Sequence, residues 1–232
     1  MSIHLVGGGP DTTPAGAVAP FRAELPGRPR VGVALAGSPV VGRCWLPAYA
    51  RVVGGDCVLL PLRPGRPFDV RGLAGLDALV VGGGRTPRYL DGLAGAAGPV
   101  GELVRAGLPY LGFSAGAMVT PVDALAGGWR QQGRAVCPEE WSEGLEELTT
   151  RPGLGLLPFP VDVHTAQAGT LGRTVAVVPA DRAVAVGIDE GTCLSLPVDA
   201  ADPDAGAVSG TGAVWTARGG DGGPLVSRRT AD

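Results

Sequence analysis

Short, almost wholly apolar runs recur along the first half of the chain, and most stop at a glycine. They are Ile3-His4-Leu5-Val6, Val31 to Leu35, Cys57 to Leu62, Leu76 to Val81 and Leu108 to Leu111. Between them lie stretches with helical spacing: Val18 to Glu24, Trp45 to Val53, and residues 87–95 and 98–106. Strands that are apolar throughout and alternate with helices predict an α/β protein with a mostly parallel central sheet, covered on both faces. Apolar residues make up 45% of the chain and aromatics 5%, so the core is expected to be mostly Val, Leu and Ala. The length suits one domain, and neither a repeat nor a linker interrupts residues 1–232.

In parallel sheets the site lies beyond the carboxyl ends of the strands. Gly7-Gly8-Gly9, Gly82-Gly83-Gly84 and Gly112-Phe113-Ser114-Ala115-Gly116 all fall at that edge. A serine flanked by small residues, with an apolar run before it and Ala117-Met118-Val119 opening a helix after it, is the pattern of a nucleophile elbow. The turn leaves no room for side chains on its flanks and holds the serine in a strained conformation.

A serine hydroxyl is a weak nucleophile until a base takes its proton. The chain has two histidines and no lysine, so the candidates are few. His4 lies among core-type residues. His164 ends the run Gly153 to Val163, which is expected to be a strand, and so stands at the edge where a base is needed. The base needs an acid to hold its tautomer. Asp123, Glu139, Glu140, Asp162, Asp189 and Glu190 are candidates, and spacing alone does not choose between Glu190 and Asp123. An oxyanion needs backbone donors. The N–H of Ala115 is one, and a glycine N–H at Gly83 or Gly84 is the other. No complete phosphate-loop pattern competes for those glycines.

The rest of the second half is less regular. Glu139 to Glu143 is expected to be a solvated helix face, and residues 166–178 a helix. Ala183 to Ile188 and Thr192 to Leu196 are expected to form a strand pair around Asp189-Glu190-Gly191. Ala207 to Ala217 should be a late strand, with a frayed tail from Gly219.

Net charge is −3 with no basic block, which speaks against nucleic-acid or anionic-lipid partners. No apolar run approaches a membrane span and no basic leader opens the chain. Four cysteines without CxxC spacing suggest buried thiols in a cytoplasmic protein, not a metal site. No cofactor motif is present.

Taken together, Val81 to Thr86, Gly112 to Ala117, Asp162-Val163-His164 with Leu171-Gly172-Arg173, and Gly187 to Thr192 resemble the peptidase E and cyanophycinase family of serine peptidases. Leu5 to Gly9 also fits. The resemblance implies a flavodoxin-like three-layer sandwich of the class I glutamine amidotransferase type. It implies a catalytic Ser114, His164 and Glu190, which chooses the acid that spacing leaves open. It further implies exopeptidase action on small aspartyl peptides or isopeptides through an acyl-enzyme, with Arg85, Thr86, Asp162 and Arg173 at the substrate. Members are often homodimers, although no interface is visible in the sequence. The chain departs from the cyanophycinase pattern at Val163, Ala168 and Thr170, where a glutamine and two arginines are expected. Arg85, Arg88 and Arg130 are candidate replacements. Two other readings compete. An α/β-hydrolase-type esterase also uses GxSxG, but its acid precedes its histidine. A catalytically silent amidotransferase-like binding protein would keep the fold without turnover.

Overall fold

A computed structural model of the chain describes residues 2–178 and 184–231. The apolar runs become β1 (Ser2–Val6), β2 (Arg30–Ala36), β3 (Asp56–Leu62), β4 (Ala78–Val81) and β5 (Tyr110–Phe113). They lie mutually parallel in the order β1-β5-β4-β2-β3. Helices α1 (Ala19–Ala23), α2 (Pro39–Val53), α3 (Thr86–Leu93) and α4 (Ala97–Arg105) make the connections. Successive strand residues point to opposite faces, and here both faces are buried. Leu79, Val81 and Tyr110 enter one apolar cluster. Ala78, Val80, Leu111 and Phe113 enter a second, with Phe21 and Tyr49 from the helices. Core on both sides is what unbroken apolar strands require.

The second half starts with α5 (Ala115–Met118), then β6 (Asp123–Gly127), the short pair β7 (Arg130–Gln131) and β8 (Arg134–Ala135), and β9 (Thr149–Pro152), which pairs with β6. Next come β10 (Val161–Val163), α6 (Thr165–Ala168), α7 (Leu171–Ala176), β11 (Val184–Ile188), β12 (Thr192–Pro197), β13 (Ala207–Gly210), β14 (Ala213–Arg218) and β15 (Leu225–Thr230). Strand β12 runs antiparallel beside β1 and carries β13, completing a seven-stranded, mostly parallel sheet. A second sheet has the order β10-β11-β14-β15. The α/β, flavodoxin-like expectation is met.

Several expectations fail in the second half. β11 and β12 do not pair with each other, and they belong to different sheets. The expected strand from Ala183 begins at Val184 in the described part; Ala183 itself lies outside the described residues. The late strand is two strands, β13 and β14, again in different sheets. The tail is not frayed along its length, because β15 pairs with β14 from Leu225 to Thr230. Of Gly153 to Val163 only β10 is strand; Leu154, Leu156, Leu157 and Phe159 are buried from a loop. Helix 166–178 breaks at Gly169, whose φ is +67°. Helix α2 starts at Pro39, earlier than expected, with proline in its first turn. No helix among the described residues is long and apolar enough to cross a membrane.

Candidate active site

The elbow follows from close approach of backbones. A Cβ on Gly116 would strike the Val81 carbonyl, and one on Gly112 would strike the Gly116 carbonyl. The turn is pinned from both neighbouring strands: Ser114 N–H donates to Val6 O at 2.9 Å and Gly116 N–H to Gly82 O at 3.1 Å. Ser114 is left at φ 49°, ψ −110°. Such a conformation costs a non-glycine residue on the order of 1–3 kcal/mol and persists only where its surroundings impose it.

His164 leaves β10 at φ 55°, and its N–H donates to Gly7 O at 3.0 Å, which ties the end of β10 to the first glycine loop. The Asp189–Gly191 turn is bolted to the helix that follows His164. Asp189 accepts from the N–H of Ala166 and of Ala213 and from Trp215 Nε1, at 3.0, 2.9 and 2.8 Å. Glu190 N–H donates to Gln167 Oε1 at 2.8 Å. These bonds place three side chains in line. Ser114 Oγ lies 2.8 Å from His164 Nε2, and His164 Nδ1 lies 2.7 Å from Glu190 Oε1. A carboxylate only accepts, so Nδ1 carries the proton and Nε2 is free to accept from the serine hydroxyl. The partner of Nδ1 is Glu190 and not Asp123, which opens β6. The other histidine is structural. Neutral His4 donates from Nε2 to Glu24 at 3.2 Å and accepts at Nδ1 from Ser195 Oγ at 2.9 Å.

The Gly82–Gly84 loop lies against the serine, with a Cβ on Gly83 only 3.3 Å from Ser114 Cβ. Two tyrosines hold it. Gly83 N–H donates to Tyr49 Oη at 3.1 Å, and Tyr89 Oη donates to Gly83 O at 2.7 Å. Gly83 N–H is therefore already engaged, against the expectation that it serves as an oxyanion donor. In a trans peptide the N–H points opposite to the C=O. Fixing the Gly83 carbonyl on Tyr89 thus turns Gly84 N–H the other way. Among the described residues neither Gly84 N–H nor Ala115 N–H meets an acceptor. Burial pushes the Tyr49 hydroxyl up to about 12, so it stays protonated.

A cavity of about 530 Å³ opens over these groups, lined in part by Ser114, His164, Glu190, Gly83 and Gly84. Trp141 packs its ring on His164, with centroids 5.0 Å apart. Glu143 also faces the cavity. It sits at φ 61° and caps α3, accepting from Thr86 N–H at 3.1 Å and Thr86 Oγ1 at 3.3 Å. Burial raises its carboxyl above the ordinary value, opposed by the Thr86 bonds and by the Arg173 and Arg85 charges. The expectation of a solvated helix face holds in part: Glu139 and Glu140 are exposed, but Glu139 to Trp141 form only a single 3₁₀ turn and Glu143 is partly buried.

The residues expected at the substrate are placed differently. Asp162 and Arg173 are 0% and 2% exposed and form a bidentate pair, with Arg173 Nε and Nη2 donating at 2.9 and 2.7 Å. Burial would lower the Arg173 pKa, but the Asp162 charge and hydrogen bonds reverse this and raise it. Arg173 Nη1 donates to the Trp141 carbonyl. The pair is a strut beneath the loop that carries Trp141, and neither residue lines the cavity. Thr86 is buried and spent on Glu143 and the Met118 sulfur. Arg85 and Arg88 are exposed, and Arg130 stacks on Trp129 and pairs with Glu146. None of these arginines lines the cavity. Of the cysteines, Cys137 and Cys193 are buried as expected, whereas Cys44 is exposed. Sequence reasoning missed Tyr49, Tyr89, Trp141 and Glu143. The signal available for Tyr49 was its position eight residues after Val41 and four after Trp45 on one helix face.

No protein-family model and no curated protein matches the chain. The chain is similar in structure to the "Putative Peptidase E Protein" from Listeria monocytogenes EGD-e, with a TM-score of 0.56 and 16% identity over 100% of this chain and 98% of that one. The likeness spans both chains from end to end, and the protein has a peptidase E-like, flavodoxin-like α/β fold.

Proposed function

We propose that the chain is a serine hydrolase that cleaves a peptide or amide bond through an acyl-enzyme on Ser114. The observation that carries this reading is the hydrogen-bonded line from Ser114 Oγ through His164 to Glu190, set at a strained elbow and open to a cavity. His164 Nε2 takes the hydroxyl proton as Oγ attacks the carbonyl carbon. Glu190 stabilises the imidazolium, and the N–H groups of Ala115 and Gly84 hold the oxyanion. The C–N bond then breaks, and the amine leaves with the proton from Nε2. Water, deprotonated by the same nitrogen, releases the acid and frees Ser114. The fold of the Listeria protein and its name support peptidase chemistry. The chain order Ser114, His164, Glu190 supports this reading over an α/β-hydrolase-type esterase, in which the acid precedes the histidine. An aspartyl substrate finds little support, because no arginine among the described residues lines the cavity.

The test is labelling with a small alkyl fluorophosphonate, followed by peptide mapping. Ser114 is expected to be modified, with labelling abolished in Ser114→Ala and reduced at least a hundredfold in His164→Ala. A folded wild-type protein that takes no label would instead support the silent binding protein.

A further inference from the structure

The cavity wall carries information about substrate that the hydrolytic groups do not. On α2, Val41, Trp45 and Tyr49 are spaced four residues apart, so they share one helix face, and all three line the cavity. The stripe runs inward from the mouth, where Val41 is 57% and Trp45 43% exposed, to Tyr49, whose hydroxyl takes the Gly83 N–H. Trp141, 37% exposed, closes on the histidine. Large apolar side chains this open to solvent, gathered at the mouth of one cleft, mark a surface that is covered when a ligand is in place. The charged lining is one-sided. Asp11, Glu143 and Glu190 line the cavity, and no arginine does so among the described residues. Guanidinium groups close to the lining are committed or outside it: Arg173 to Asp162, Arg51 to the Pro10 carbonyl at 3.2 Å, and Arg85, exposed, beside Gly144.

Resting on the serine-hydrolase reading above, we infer that the substrate presents a large apolar side chain, aromatic or branched aliphatic, next to the scissile carbonyl, and that this site disfavours a carboxylate there. The apolar group lies along the Val41–Trp45–Tyr49 stripe and displaces water from Trp45. A carboxylate in the same place would lose its hydration without meeting a cation and would face Glu143 and Asp11.

Diphenyl aminoalkylphosphonates test this without a known substrate. Ser114 Oγ displaces one phenoxide at phosphorus, the serine proton leaves with it as phenol, and the adduct is counted by intact-protein mass spectrometry. The probes carry a benzyl, isobutyl or carboxymethyl side chain, with the alkyl fluorophosphonate as a reference for the nucleophile. The benzyl and isobutyl probes are expected to react at least tenfold faster than the carboxymethyl probe. Trp45→Ala, a change at an exposed position, should lower the benzyl rate at least fivefold. Glu143→Gln, which keeps an acceptor for Thr86, should raise the carboxymethyl rate. Equal or faster reaction of the carboxymethyl probe overturns the inference and leaves the hydrolase reading standing. So does a protein that takes the fluorophosphonate but neither apolar probe, or a Trp45→Ala protein with an unchanged benzyl rate. No reaction with any probe, the fluorophosphonate included, overturns both.

Discussion

Replacing Asp162 by asparagine separates a structural role from a substrate role, because the two predict opposite things. The side chain keeps its shape and loses its charge. In the wild type, Asp162 Oδ1 accepts from Arg173 Nη2 and from Val163 N–H at 2.7 and 2.8 Å, and Oδ2 accepts from Arg173 Nε at 2.9 Å. Asparagine offers one oxygen in place of two and turns an N–H₂ group toward a guanidinium that also only donates. With both residues essentially inaccessible, water cannot take over. Breaking one side of such a pair costs about 3–5 kcal/mol, since an unpaired charge stays buried. For a chain of this size that corresponds to a fall in apparent Tm of roughly 6–20 °C. Thermal melts at matched pH and salt measure it. Replacing both partners with apolar residues, Asp162→Leu with Arg173→Met, should recover much of the loss, because no charge is then stranded. A substrate-binding Asp162 predicts instead a near-normal melt and a raised KM. A fall of less than about 3 °C would refute the reasoning.

Three further outcomes follow from the site and the core. Tyr89→Phe removes the bond that fixes the Gly83 carbonyl, and fluorophosphonate labelling of Ser114 should slow at least tenfold, a fraction of the 10²–10³ that an oxyanion donor supplies; a rate within about twofold of wild type would remove Tyr89 from any positioning role. Gly116→Ala drives a methyl into the Val81 carbonyl, and the protein should lose labelling and about 1–3 kcal/mol of stability. Burial lowers the His4 pKa below 6.5, with Glu24 opposing in part, so the unfolded chain takes the proton first and stability falls as pH drops below that value. Tm should therefore decline between pH 7.5 and 5.5 more steeply in wild type than in His4→Gln, and equal slopes would remove His4 from the acid response.

The first half of the fold was legible because its signals are local. A strand buried on both faces must be apolar at every buried position, and β4, β5 and β2 after Arg30 are; the turns after them need small residues, and the glycines stand there. The second half misleads for reasons that are also physical. Thr192 follows Ile188 by a short turn, which suggests a hairpin, but Asp189 fastens that turn to Ala166, Ala213 and Trp215 and sends the two strands into separate sheets. Gly153 to Val163 looks like one strand because it is apolar, yet Pro158 and Pro160 lack the N–H that a ladder needs. Strand β15 carries no apolar signal, since Leu225 is largely exposed; pairing with β14 holds it.

The candidate site divides along the same line. Ser114, His164 and Glu190 come from strand ends, where position along the chain and position in space are tied together, and the fold brings those three within hydrogen-bonding distance. The wall over them comes from one face of α2, from α3 and from the irregular segment around Trp141. None of these is placed by its own spacing. Trp141 sits over His164 because Arg173 holds its carbonyl, and Arg173 is there because Asp162 is buried beneath it. The same two residues that the resemblance assigns to substrate therefore shape the pocket from behind. Such a pair constrains the pocket only through the loop it holds, so the lining in front of that loop can change in character while the pair behind it stays the same.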